Sequence, residues 1–309
     1  MTHMSGGHAG HMPSSGRGLA ISAWLTGVYF FIEMGIGFWT GSISVISDAF
    51  HTFSAVGGVV VAIVAARVAR RPASEEQSYG WYRAELVGAF VNGGFLLGMA
   101  LVVIVMGGMR LTAPIELPTG PMLWAAAGGL FTEIISLGLM WRQSRNDLNV
   151  KGALWHIIQT FVGSLIIIVA ALVIRFTGFL LIDPILGMAF GFVLLWASWT
   201  ILKDATRLLM EGTPSDVNLR EIATALQKLD GVKDVHHVHA WALTSGKYVF
   251  SAHMRVDKDA SGGDILRKAH HLLKQEYGFF FATLQIEDIC LDEAGAEAID
   301  VISTSSGTA

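Results

Sequence analysis

Six stretches of the chain are almost wholly apolar, at residues 18–40, 43–66, 84–109, 120–141, 151–174 and 182–202. A helix needs roughly 20 such residues to cross the hydrocarbon core of a bilayer, so the pattern predicts six membrane-spanning helices. Beyond residue 202 the pattern changes. Leu219, Ile222, Leu226 and Leu229 recur at helical spacing behind Ser215-Asp216, which predicts a capped amphipathic helix. Val232–Leu243 and Tyr248–Val256 read as strands joined by a turn at Thr244-Ser245-Gly246-Lys247. A helix over Gly263–Tyr277 and an alternating strand over Thr283–Ile289 follow. The expected fold is a membrane all-α domain of six helices followed by a small split α/β sandwich. The expected domains are a flexible His/Met tail at 1–17, a six-span transmembrane domain at 18–208, the α/β domain at 209–292 and a disordered tail at 293–309.

Composition agrees with this division. The 309 residues are 52% hydrophobic and 15% charged, with a mean hydropathy of +0.53. Soluble domains carry about 25% charged residues. The net charge of −4 gives no reason to expect a nucleic-acid partner. One cysteine, Cys290, excludes an intramolecular disulfide. The first sixteen residues lack the apolar core of a signal peptide. Basic residues set the orientation: Arg67, Arg70, Arg71 and Arg83, then Arg142, Arg145 and Lys151, then Lys203 and Arg207 lie on one side, against Arg110 and Arg175 on the other. The positive-inside rule puts both termini of this multi-pass chain in the cytoplasm, and the expected membrane is a bacterial inner membrane.

Ionisable groups inside a bilayer are costly and face the interior of a bundle, where they do chemistry. Here they are Glu33 in span one, Asp48 and His51 in span two, Glu133 in span four and His156 in span five. Asp48 and His51 are three residues apart and share a helical face; His156, Gln159 and Thr160 share another. Two imidazoles with oxygen ligands beside them suit a tetrahedral zinc ion. An imidazole binds metal only when neutral, so loading displaces protons and offers a route to metal–proton exchange. The bland alternative is that these groups bond backbone carbonyls or neighbouring helices as neutral polar residues.

More histidines cluster outside the spans. His3, His8 and His11 stand beside Met1, Met4 and Met12, as a metal-collecting tail or a plain leader. The α/β segment holds His236-His237-Val238-His239, His253, His270-His271 and Glu287-Asp288-Ile289-Cys290. Regular strand alternation puts His237 and His239 on one face and His236 on the other.

Several stretches, in order, resemble the cation diffusion facilitator family over roughly residues 18–292. They are Thr40-Gly-Ser-Ile-Ser-Val-Ile-Ser-Asp-Ala-Phe-His51, Ser78-Tyr-Gly-Trp-Tyr-Arg-Ala-Glu85, Asn149-Val-Lys-Gly-Ala-Leu-Trp-His156, Leu209-Met-Glu-Gly-Thr-Pro214 and His239-Ala-Trp241. The resemblance implies a homodimer with a ferredoxin-like cytoplasmic domain, exporting divalent metal against inward proton flow. It implies metal sites at His51 and His156, and at His236, His253, His270 and Asp288, with Glu287 and Cys290 as further candidates. The family's transport site pairs each of its two span histidines (an aspartate in some members at span two) with an aspartate four residues on; here those two positions hold Ala55 and Thr160. Either Asp48 and Glu133, with Glu33 nearby, rebuild the site around His51, His156 and Thr160, or transport is lost and the chain is a regulatory subunit or metal sensor. Arg83 either pairs with Glu211 or serves orientation alone.

The chain lacks the His-Glu-x-x-His, Gly-x-Ser-x-Gly and phosphate-loop motifs, which speaks against a metalloprotease, a serine hydrolase and an ATP-driven pump. A channel would need a ring of like groups. The expected function is secondary active transport, with no enzyme activity and no cofactor beyond the ion carried. Zinc is the expected ion, with cobalt or nickel as alternatives; protons and membrane lipid are the other expected partners.

Overall fold

The computed structural model describes residues 16–140 and 148–289, together with Ile299 and Ile302, with side chains described except at 16–23, 54–56, 59, 62, 140 and 148–156. Six long helices come first: α1 (Gly16–Thr40), α2 (Ile43–Ala69), α3 (Ala84–Thr112), α4 (Thr119–Met140), α5 (Leu148–Thr177) and α6 (Ile182–Leu209). Then follow α7 (Leu219–Gln227), β1 (Val232–Thr244), β2 (Lys247–Val256), α8 (Gly262–Gln275) and β3 (Phe281–Glu287). Two compact units result, one of residues up to 62 with 91–201, the other of 63–90 with 202 onward.

Four segments among the described residues are long and apolar enough to cross a membrane: Ala84–Thr112, Thr119–Leu139, Ile157–Thr177 and Ile182–Leu209. Helices α1 and α2 are of similar length, 25 and 27 residues, and contain Glu33, Asp48 and His51. The helical unit is apolar on its outside as well as its inside. Trp39, Trp124 and Trp196 are 75%, 78% and 72% exposed, which suits contact with lipid and not with water. Its interior holds small residues, with Ala125 and Ala126 of α4 against Ala170 and Ala171 of α5. Small side chains let helix backbones approach closely where no hydrophobic force separates protein from lipid.

One carboxylate joins α6 to the start of α2. Asp183 is fully buried. It accepts from Ser42 Oγ (2.5 Å), Ile43 N (2.7 Å), Ser44 N (3.3 Å) and Ser44 Oγ (2.5 Å). These are the first amides of α2, which have no partner inside the helix, and the negative charge sits at the positive end of the helix dipole. Gly187, one turn further along α6, allows this approach: a Cβ there would lie 2.8 Å from the backbone of Ile43 and Ser44.

In the second unit the sheet order is β1-β2-β3. The β1–β2 pair is an antiparallel hairpin and β2–β3 is parallel, with α8 as the crossover. The sequence of α7, hairpin, α8 and parallel strand is consistent with a ferredoxin-like fold. Its core joins Ile222 and Leu226 of α7, Val235, Phe250 and Met254 of the sheet, and Ile265 and Leu273 of α8. The α7 cap is Asn218, whose side chain accepts from Glu221 N at 3.2 Å, and not Ser215-Asp216.

Replacing Asp183 with alanine leaves two buried amides and two hydroxyls without their acceptor, at about 1–3 kcal/mol for each unsatisfied group. Asp183→Ala is expected to lower the melting temperature of the detergent-solubilised protein by several degrees or to abolish folding. A melting temperature equal to the parent's would show that α2 does not depend on this cap.

Candidate functional site

Polar groups gather where α1, α2, α4 and α5 meet. Glu33, Asp48, His51, Glu133, Thr160 and Ser164 are all buried. Glu33 of α1 faces Asp48 of α2 and lies beside Tyr29, one turn back on its own helix. The Tyr29 hydroxyl donates instead to Ala125 O on α4 at 2.6 Å. Ser164 Oγ of α5 donates to Glu133 Oε1 of α4 at 3.1 Å. Thr160 lies beside Glu133, while its hydroxyl donates to Ile157 O at 2.9 Å. The Asp48 carboxylate presses on α5 at Gly163, where an added Cβ would overlap it. The His51 ring meets Phe190 of α6 edge-on at 5.5 Å between centroids.

Both Glu33 oxygens, Asp48 Oδ1 and Glu133 Oε2 are buried with no described hydrogen-bond donor. Two adjoining carboxylates in such a place are stable only with a shared proton or a cation between them. The arrangement therefore has the chemistry to hold a positive charge, and its oxygen donors are supplemented by the imidazole of His51. In this conformation Glu33, Asp48 and Glu133 do not converge on a single ion. The His156 side chain lies outside the described residues, as does that of Ala55, so the pairing of the two span imidazoles is not described. Tyr29, Gly163 and Ser164 escaped the sequence reading. Their signals were the spacings Tyr29–Glu33 and Thr160–Gly163–Ser164, which repeat the i, i+3 and i+4 of a helix face.

A tighter cluster lies in the sheet. Strand pairing sets His236 opposite His253 and Arg255 opposite Glu287. His236 Nε2 lies 2.8 Å from Glu287 Oε1, and His253 Nδ1 lies 3.9 Å from Glu287 Oε2. One ligand atom from each of the three falls within 4.8 Å of the others, the only such group of three among the described residues. Behind it, Asp234 Oδ2 lies 3.4 Å from His236 Nδ1, and Asp234 Oδ1 accepts from Arg255 Nε at 2.7 Å. A carboxylate behind a ligating histidine fixes the ring and raises its basicity.

The sheet departs from regular alternation at this point. His237 has φ of 48° and the register shifts between His236 and His239. This bulge turns both His236 and His237 inward. The His237 ring then lies 5.4 Å from that of His236 and 5.1 Å from that of His253. His270, on α8, and Asp288 are exposed and stand outside the group, whose third member is Glu287. His3, His8, His11 and Cys290 lie outside the described residues.

Comparison with known proteins matches residues 19–210 to the family described as cation efflux transmembrane domain, and residues 214–289 to that described as cation efflux protein, cytoplasmic domain. The metal cation efflux system protein CzcD of Cupriavidus metallidurans is 32% identical over 295 residues, covering 95% of this chain and 93% of that protein. The zinc transporter ZitB of Escherichia coli is 30% identical, covering 93% of each chain. The cadmium, cobalt and zinc/H(+)-K(+) antiporter of Bacillus subtilis is 30% identical, covering 91% of this chain and 92% of that protein.

If the sheet cluster binds metal, Asp234→Ala should weaken zinc binding to the full-length protein by about 10–100-fold, the usual effect of losing the carboxylate behind a histidine ligand. Calorimetric titration should show His253→Ala weaker still and His270→Ala unchanged. Equal affinities in all four proteins would remove this cluster from consideration.

Proposed function

The chain belongs to the cation efflux family of membrane transporters, and on that premise we propose that it exports a divalent transition-metal ion, zinc foremost, in exchange for protons. The observation that carries this reading is the burial of three carboxyl groups and an imidazole inside a membrane helical unit. Burying ionisable groups within a bilayer is costly, and ion passage explains that cost. The proposed transport ligands are His51, His156, Asp48 and Glu133, with Thr160 holding the place where the family pattern has an aspartate. Asp48 and Glu133 together supply the negative charge that the family pattern places at positions 55 and 160. Zinc is favoured because imidazole takes part and because relatives bear zinc in their names.

The α/β unit is proposed to bind metal through His236, His253 and Glu287 and to join two copies of the chain as a homodimer. His270 and Asp288 enter that set only through a rearrangement of α8 and the end of β3. Both termini are proposed to lie in the cytoplasm of a bacterium, with residues 1–17 as a flexible His/Met tail, 18–208 as the membrane domain, 209–292 as the cytoplasmic domain and 293–309 as a C-terminal tail.

A second reading has its own support. One ligand atom each of His236, His253 and Glu287 lies within 4.8 Å of the others, while Glu33, Asp48 and Glu133 form no such group, which supports a metal sensor that has lost transport. Flux into proteoliposomes under an imposed pH gradient separates the two. Transport predicts gradient-driven zinc movement that falls at least about tenfold in Glu133→Gln and in His51→Ala, equivalent to about 1.4 kcal/mol of lost interaction. Folded, dimeric protein with no flux of zinc, cobalt or nickel would establish the sensor reading.

A further inference from the structure

The second unit contains a cavity of about 860 Å³ that none of the metal chemistry uses. It is walled by the last turn of α2, the loop that leads into α3, the β1–β2 turn and the start of β3. This volume is within the range of small-ligand sites, roughly 300–1,000 Å³.

Three cations line it: Arg70, Arg71 and Lys247. None forms an ion pair among the described residues. Lys247 Nζ is held 3.7 Å from the centre of the Tyr82 ring and 5.0 Å from that of Phe280, and the Arg71 guanidinium lies 5.8 Å from the Trp81 ring. One acid, Glu85, also lines the cavity, and its carboxylate is engaged by the Thr244 hydroxyl. Glu75 and Glu76 of the same loop do not line it. The balance inside the cavity is therefore positive.

The walls are built and not incidental. Ser74 and Gln77 exchange backbone hydrogen bonds of 3.1 and 3.2 Å, and Gly80 N donates to Gln77 O at 2.8 Å. Gly80, at φ of 74°, closes the loop back towards Arg71. Tyr79 meets Phe281 and Tyr82 meets Phe280, both edge-on. Arginines at the ends of membrane helices commonly serve orientation alone. Orientation requires neither a cavity nor an aromatic wall.

We propose that this cavity binds the headgroup of an anionic phospholipid, the phosphate meeting Arg70, Arg71 and Lys247. Two observations favour lipid over a soluble phosphate. Tyr79, Phe280 and Phe281 beside the cations are 47%, 53% and 49% exposed, as aromatic groups are at a membrane interface. Ala66 and Ala69 of α2 continue the wall along a helix that enters the membrane unit, giving an acyl chain an apolar surface to follow. A soluble phosphate would leave these surfaces in water.

Basic groups beside an anionic membrane surface contribute about 1 kcal/mol each, or about fivefold in affinity. The full-length protein in detergent would be titrated with short-chain phosphatidylglycerol, phosphatidylcholine and inorganic phosphate, with binding followed by thermal stabilisation. The parent should bind phosphatidylglycerol in preference to phosphatidylcholine, and R70Q/R71Q should lose about 25-fold. Both arginines are exposed, so the pair should fold. R220Q/K228Q, which removes the same charge from around α7, should bind like the parent. Unchanged binding in R70Q/R71Q, or an equal loss in R220Q/K228Q, overturns the proposal. Displacement by inorganic phosphate at concentrations equal to the lipid's overturns it too, since the cavity would then be a free-phosphate site.

Discussion

The helical unit depends on the Asp183 carboxylate at the first turn of α2. Helix α1 ends at Thr40 and α2 begins at Ile43; Ser42 Oγ of the turn accepts from Val45 N at 3.3 Å, which leaves the amides of Ile43 and Ser44 to be satisfied from elsewhere. Inside a membrane no water takes their place. Asp183 accepts from them and thereby fixes α6 against α2. Seven residues separate Ser44 from His51 and also Asp183 from Phe190, about 10 Å along each helix. The two helices remain in register over that distance, because the His51 ring meets the Phe190 ring. The cap thus sets the rotation of α2, and with it the direction in which Asp48 and His51 point.

The two ligand clusters differ in the way they are built. In the sheet, strand register brings His236 and His253 together, and Asp234 and Arg255 hold the arrangement from behind. In the helical unit the carboxyls come from three helices, and several of their oxygens have no hydrogen-bond donor among the described residues. The first is fixed within one small sheet, whereas the second draws on α1, α2 and α4 and has no single point at which the three carboxyls meet.

Much of this was legible in the sequence, and what was not has local causes. Apolar runs located the six helices because bilayer thickness sets their length. The polar residues within them stood out against that background, so Glu33, Asp48, His51 and Glu133 were visible at once. The partners of those residues were not visible, because Tyr29, Gly163 and Ser164 are unremarkable types in a helix. In the α/β unit the strands were readable and the bulge was not. A left-handed residue at His237 carries no signature in a histidine-rich run, and it defeated the alternation that put His236 and His237 on opposite faces. The choice between Glu287 and Asp288 turned on the phase of β3 at its last residue, where pattern is weakest. The α7 cap moved from Ser215-Asp216 to Asn218 for a similar reason, since several residues near Pro214 can cap and only packing of Ile222 and Leu226 selects among them.

The contact between Asp48 and Gly163 carries an evolutionary consequence. No side chain fits at 163 while the carboxylate occupies its present place, so the two positions are not free to drift separately. A lineage that shortens or neutralises position 48 releases the glycine, and one that gains a methyl at 163 first has to move the acid. The same holds for Gly129 against Tyr29 and Ser164. Steric fit thus holds the glycines in place for as long as the larger side chains facing them keep their length, and it leaves the acid at 48 free to shorten.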